Sequence, residues 1–352
     1  MVLTGLLFGV YTECACDEVS QRDGCSPSYY EDSFFGFADV LVWEAKEEGL
    51  DYAAYIPVTN SVVTSESLFP HALDDKARYN VGFRVGFSYQ CPCPNWDATL
   101  YWTYFHPSQK ASFTVPPHPA DAATSTTRSV PVLFNPSASP ALNTANGEWK
   151  VLYDVVDLDV GYFFRAPSFQ CRPHIGIRSA WINQKMDLNF NLNFQNGGAS
   201  TSSANFISLN SNQFWGMGLR SGADATWHFW NDFSLFGKSG VSLLWGQYNV
   251  SRQEILTSAL TVGGITYLPG TTRAITNVMR YQLATALDLI GGFGWHTTCY
   301  GLGLDLSLAW EFQLWFSQNQ LLKVVGNNNI NYVNLQGDFS TQGLTAGIAV
   351  TF

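Results

Sequence analysis

Seven cysteines are the residues of this 352-residue chain whose chemistry depends most on their surroundings. Cys14, Cys16 and Cys25 lie near the start, Cys91 and Cys93 fall in the stretch YQCPCPNW, and Cys171 and Cys299 stand alone. Proline cannot donate to a sheet ladder, so Pro92 and Pro94 mark a tight connection between strands. Thiols can pair in an oxidising compartment, bind metal or stay reduced. C-x-C without a C-x-x-C pair is weak zinc spacing, and no metal site is expected. An odd number leaves at least one thiol free or bonded to another molecule.

Other reactive residues are few. His71 with Asp74, and His106, could imitate an acid–base pair, but loop residues drawn from six histidines meet that requirement by chance. Gly301 to Leu306, GLGLDL, looks like part of a nucleotide loop but reads as strand, and no helix follows. The chain contains no P-loop, H-E-x-x-H or G-x-S-x-G. No catalytic residue, enzyme activity or cofactor is expected. A net charge of −10 argues against nucleic acid as a partner.

The elements that must hold these residues are strands. Charged residues are 13% of the chain and aromatics 15%; the charged share is about half the usual one. No apolar run reaches the roughly 18 residues of a membrane-spanning helix. In Gly343 to Phe352, even positions are apolar and odd positions small or polar. From Tyr300 to Leu314, Leu302, Leu304, Leu306, Leu308, Trp310 and Phe312 form one face, and Asp305, Ser307, Glu311 and Gln313 the other. Twelve steps at about 3.3 Å, tilted by about 40°, span roughly 30 Å of membrane normal. The reading is all-β: a transmembrane antiparallel β-barrel of about ten strands, at 36–47, 77–90, 96–107, 148–165, 172–186, 212–230, 233–250, 276–293, 299–316 and 340–352. Residues 50–58 could add a strand, making twelve possible. Two segments are less regular: Phe37 to Ala45 is apolar on both faces, and Trp149 to Phe164 is expected to change phase near Val155, at a bulge.

Connections alternate. Those near 91–95, 166–171, 231–232 and 294–298 are short and are expected in the periplasm. Those at 48–76, 108–147, 187–211, 251–275 and 317–339 are long and are expected outside. An even strand count then puts both termini in the periplasm, in a bacterial outer membrane. A terminal strand ending in Phe352 is the signal that barrel-assembly machinery reads. Residues 1–33 form a leader: Met1 to Val10 resembles the end of a secretory h-region without its basic n-region. The other reading of that run is a short buried strand.

This scheme places the charges. Arg84, Asp97, Asp157, Asp159, Arg178, Arg220, Asp224, Lys238, Arg280, Asp288, Asp305 and Glu311 point to the lumen. They line a pore whose charges set ion preference, or they fill a closed barrel as paired charges. Arg178 and Arg220 are the foremost pore candidates. Trp96, Phe164, Phe229, Tyr300 and Phe352 form one aromatic girdle, and Trp102, Trp181, Trp215, Trp245 and Phe312 the other. All seven cysteines fall on the periplasmic side. Staples between leader and turns, cross-links to neighbouring envelope proteins and idle thiols all remain open.

Several stretches carry a resemblance: FADVLVWEAKEEGLDYA (Phe37 to Ala53), RPHIGIRSAWINQ (Arg172 to Gln184), NQFWGMGLRSG (Asn212 to Gly222), WEFQLWFSQNQ (Trp310 to Gln320) and GDFSTQGLTAGIAVTF (Gly337 to Phe352). They resemble the major outer membrane protein-like families of Legionella and environmental chlamydiae, over most of residues 34–352. The resemblance implies an outer-membrane barrel with a porin-like role. In the chlamydial relatives it also implies a disulfide-linked envelope, with other Cys-containing envelope proteins as partners. The expected function is passive diffusion of small hydrophilic solutes by a barrel in contact with outer-membrane lipid, alone or as a homo-oligomer. The alternative is a closed structural barrel and adhesin with host-contacting loops.

Overall fold

The computed structural model describes residues 33–351 except 57, 60–61, 64–68, 73–77, 92–94, 115–127, 132–140, 197–199, 231, 263–264, 300–301, 326–330 and 335. Ten long strands form the barrel: β1 Ser33–Glu47, β2 Tyr79–Gln90, β3 Trp96–Phe105, β4 Ala141–Tyr162, β5 Phe169–Asn196, β6 Ser200–Trp230, β7 Phe233–Leu256, β8 Thr272–Cys299, β9 Leu302–Asn319 and β10 Gly337–Thr351. Each strand pairs antiparallel with the next, and β10 returns to β1 with Phe35 opposite Thr351. Closure leaves no sheet edge in the lipid, where an unpaired peptide group has no water to satisfy it.

Alternation decides which side chains face the bilayer. On β5, Phe169, Ile175, Ile177 and Trp181 point outward and are exposed, while His174, Arg178 and Ile182 point inward and are buried. The apolar outward run from Phe169 to Trp181 is twelve steps, roughly 40 Å of strand. Beyond it the outward residues become Asn183, Lys185, Asp187 and Asn189. Trp181 stands directly opposite Trp215 on β6, and both rings are exposed. That row marks the upper end of the lipid belt.

The strands outrun the membrane. β5 and β6 have 28 and 31 residues and pair from Phe169↔Trp227 to Asn196↔Ser200. The long loop expected at 187–211 is therefore a β-hairpin. Its Asn and Ser content reads as loop, but MDLNFNLNF alternates with period two, and Met186, Leu188, Phe190 and Leu192 are buried on its inner side. Likewise β7 continues to Leu256 and β8 starts at Thr272, shortening the loop expected at 251–275.

Two more expectations need correction. β4 has no phase change near Val155: odd residues from Ala145 to Gly161 are buried throughout, and its register slips only between Leu142 and Thr144. The inward residues of β4 are apolar at this height, so Trp149, Val151 and Tyr153 imitate lipid-facing residues. The extra strand within 50–58 exists as Asp51–Ile56, but it pairs with Phe69–Ala72 and Arg128–Pro131 outside the barrel wall. A further strand, Ser108–Thr114, pairs along β4 where β3 has ended.

The interior of the barrel as candidate functional site

The lumen has two strata. The half nearer the short turns is charged. Inward positions on β2 to β9 supply four arginines, each with more than one acidic partner. Arg178 Nε and Nη2 grip Asp157 at 2.6 and 3.1 Å, and Nη2 also meets Asp288 at 2.7 Å. Arg220 Nη1 donates to Asp159 and to the Tyr101 hydroxyl, both at 2.5 Å, and Nη2 reaches Asp288 at 3.2 Å. Arg84 forks onto Glu311 at 2.6 and 3.2 Å, donates to Thr103 at 3.0 Å and lies 3.5 Å from Asp39. Arg172 binds Asp97 at 2.6 Å and Asp224 at 3.0 Å. Planar forked donors suit such carboxylates, and shared acids tie five or more strands into one network.

Glycines make room for it. A side chain at Gly176 would collide with the Asp159 carboxylate, and one at Gly161 with Arg172 and Asp97. His174 lies between the carboxylates of Asp159 (4.0 Å) and Asp224 (3.8 Å), and neither ring nitrogen has a hydrogen bond among the described residues. The charged side chains line a cavity of about 370 Å³. Eight carboxylate residues line it against five Arg and Lys side chains, a formal excess of three acids.

Toward the long loops the lumen is packed with aromatic rings, and Glu47, Gln184, Asn212, Arg252 and Glu254 are buried on the same inward faces. Trp149, Phe339, Tyr153, Trp315, Phe214 and Tyr248 form a chain of ring contacts with centroids 4.6 to 6.4 Å apart, each at most 1% exposed. Edge-to-face geometry adds about 0.5–1.5 kcal/mol per pair beyond burial. The Tyr153 hydroxyl donates to Gln313 at 2.5 Å, at the border with the charged stratum. The end of β9 and the residues after it fold inward over these rings as a strap. Gln318, Asn319 and Gln320 are fully buried, and Leu321 and Leu322 nearly so. Asn212 donates to the Gln318 carbonyl at 2.7 Å, the Tyr248 hydroxyl to its side chain at 3.0 Å, and Asn319 to the Glu48 carbonyl at 2.7 Å. Ser317 begins this strap with φ of 51°, a left-handed conformation uncommon outside glycine. Among the described residues, these rings and the strap pack together inside the barrel.

The chain matches, over residues 37–352, the family described as Legionella pneumophila major outer membrane protein precursor. It belongs to that family. No curated protein sequence matches it. Solved structures similar in fold include the outer membrane protease OmpT from Escherichia coli, 11% identical, covering 91% of this chain and 97% of that one at a TM-score of 0.33. The Pseudomonas putida toluene transporter TodX is 7% identical, covers 93% and 90%, and has a TM-score of 0.26. A Pseudomonas aeruginosa FadL homologue is 9% identical, covers 91% and 89%, and has a TM-score of 0.25. Likenesses this remote carry no argument about what the chain does.

In this Legionella-type barrel, eleven of the twelve residues expected in the lumen line the charged cavity. Arg280 does not. It points inward on β8 but higher up, 3.5 Å from Gln320 in the strap. Asp305 is at the cavity mouth, 2.7 Å from His296 Nδ1, and Lys238 lies over the Phe236 ring. Sequence reasoning missed Asp39, Arg172 and His174. Arg172 and His174 share the phase of Arg178, which is signal enough. Asp39 was hidden in a strand apolar on both faces. Among the cysteines, Cys91 follows β2 directly, while Cys171 and Cys299 belong to strands rather than turns, near their short-turn ends. Cys91 and Cys171 are half-buried and free. Cys14, Cys16, Cys25, Cys93, the leader and Phe352 lie outside the described residues, as do Asp74 and the side chain of His71; His106 is exposed.

Proposed function

We propose that the protein is a porin-like outer-membrane channel for small hydrophilic solutes, shut in its resting state by the aromatic layer and the strap. The observation that carries this reading is the lumen: a charged cavity stops at a layer of buried rings over which the strap folds inward. A barrel used only as a wall has no need of an uncompensated charged cavity, whose acids cost desolvation. Moving the strap joins the cavity to the long-loop side. The acidic excess then draws in cations and holds back anions. Long hairpins outside and short turns in the periplasm put both termini there, with residues 1–33 as a signal-peptide remnant and Cys-containing periplasmic leader.

Complete burial of the rings favours a second reading, a permanently closed structural barrel with surface-exposed hairpins. Planar-bilayer recording separates the two. The refolded protein is expected to open rarely, and replacing Gln318–Leu322 by a Gly-Ser linker is expected to raise open time at least about tenfold, equivalent to about 1.4 kcal/mol. No openings in either protein would remove the channel and leave the structural barrel. Large, steady openings in the unaltered chain would remove the gate.

The cysteines near the short turns are available for cross-links to other envelope proteins or to a second copy. Ladders on a non-reducing gel that collapse with reductant support that role. Monomer in both lanes removes it.

A further inference from the structure

We propose that the outer face of β4 and β5, just beyond the lipid belt, binds the phosphate of a phosphorylated glycolipid in the outer leaflet. The assignment of leaflet rests on the orientation proposed above; the binding site itself does not. Lys150 and Lys185 are directly opposite each other in the β4–β5 register and point outward. Like charges directly opposed in a sheet repel, and their side chains start only about 5 Å apart. Lys150 is 3.0 Å from Glu148, which Lys110 also meets at 3.3 Å. Lys185 is exposed and has no partner among the described residues.

Position says which anion fits. Asp154↔Trp181, with Trp215 beyond, ends the lipid belt, and Lys150↔Lys185 follows four residues further out. That is the level of lipid headgroups, where cationic side chains meet phosphate. Glu148 is paired with Asp187 in the next outward row, and on the bilayer side of the lysines the Asp154 carboxylate accepts from the Trp102 indole at 3.1 Å. Above the lysines a groove of about 560 Å³ is lined by Lys110, Glu148, Asp187, Asn189, Ile207 and Leu209 among others. Polar groups beside two aliphatic side chains suit the two faces of a sugar ring. A plain phospholipid would leave that groove empty.

Native mass spectrometry of the refolded full chain, with diphosphoryl lipid A as the probe, tests the site. The protein is expected to retain lipid A in preference to phosphatidylcholine. Lys150→Ser with Lys185→Ser is expected to lower retention roughly 30-fold, the effect of two lysines near an anionic surface. Lys150→Arg with Lys185→Arg is expected to keep it. Equal retention by the double serine variant, or equal binding of phosphatidylcholine, overturns the proposal. So does displacement of lipid A by inorganic phosphate at equal concentration, which would make this a free-anion site. Orientation is read separately, by maleimide labelling of Asn189→Cys on intact cells. Labelling only after the outer membrane is permeabilised would overturn the leaflet even if lipid A binds.

Discussion

Arg178 is 2% exposed, with Asp157 and Asp288 equally buried around it. Each ion alone in such a place costs several kcal/mol of desolvation, which the partners offset only together. Asp157→Ala is therefore expected to destabilise the barrel by about 3–5 kcal/mol, because it leaves a guanidinium without its forked partner. Urea unfolding of refolded protein in lipid vesicles measures this, and a loss under about 1 kcal/mol would mean that water reaches the pair. Trp315→Ala removes a fully buried ring and is expected to cost a similar 3–5 kcal/mol. Unlike Asp157→Ala, it is also expected to admit ions from the long-loop side. At this scale the sequence was legible wherever a charge stood in clear alternation. It was illegible where inward residues are apolar, since phase alone cannot distinguish lipid from a ring-packed interior. Trp43 and Trp149, buried in the lumen, read like any membrane-facing tryptophan.

The β5–β6 hairpin shows what an element must satisfy at different heights. Its lower half is apolar outward and charged inward. On β5 the upper half inverts this, with Asn and Asp outward and Leu188, Phe190 and Leu192 inward, whereas on β6 Ile207 and Leu209 point outward and Ser208, Asn210 and Asn212 inward. The two halves share one phase, so the strand continues unbroken through the membrane surface. Asn191 donates to Asn205 at 2.6 Å and accepts from Asn143 at 2.7 Å, a ladder across the outer face. In a cysteine-free background, Asn189→Cys is expected to react with a membrane-impermeant maleimide in proteoliposomes, and Ile177→Cys to remain unlabelled. Labelling of both would place the lipid belt elsewhere. Strand existence and phase were readable in the sequence, but where strands stop was not. A composition rich in Asn and Ser describes solvent exposure, which a hairpin in water shares with a loop.

As a whole molecule the protein is a ten-stranded outer-membrane barrel whose wall is continuous and whose interior is sorted by polarity. The wall follows from period two, long strands and alternating connections, all visible in the amino-acid order. The sorting does not, because it depends on which inward residues from non-neighbouring strands meet. Trp315 of β9 reaches Phe214 of β6 and Tyr153 of β4 only once the cylinder has closed. On the proposed function the cavity below those rings is shut off from the long-loop side and reached from the short-turn side. In a cysteine-free background, Ser307→Cys places one thiol in the cavity wall. The measurement is its reaction with a small charged maleimide on intact cells and again after the outer membrane is permeabilised. Labelling only after permeabilisation is the predicted result; equal labelling of intact cells would show an open lumen and contradict the account.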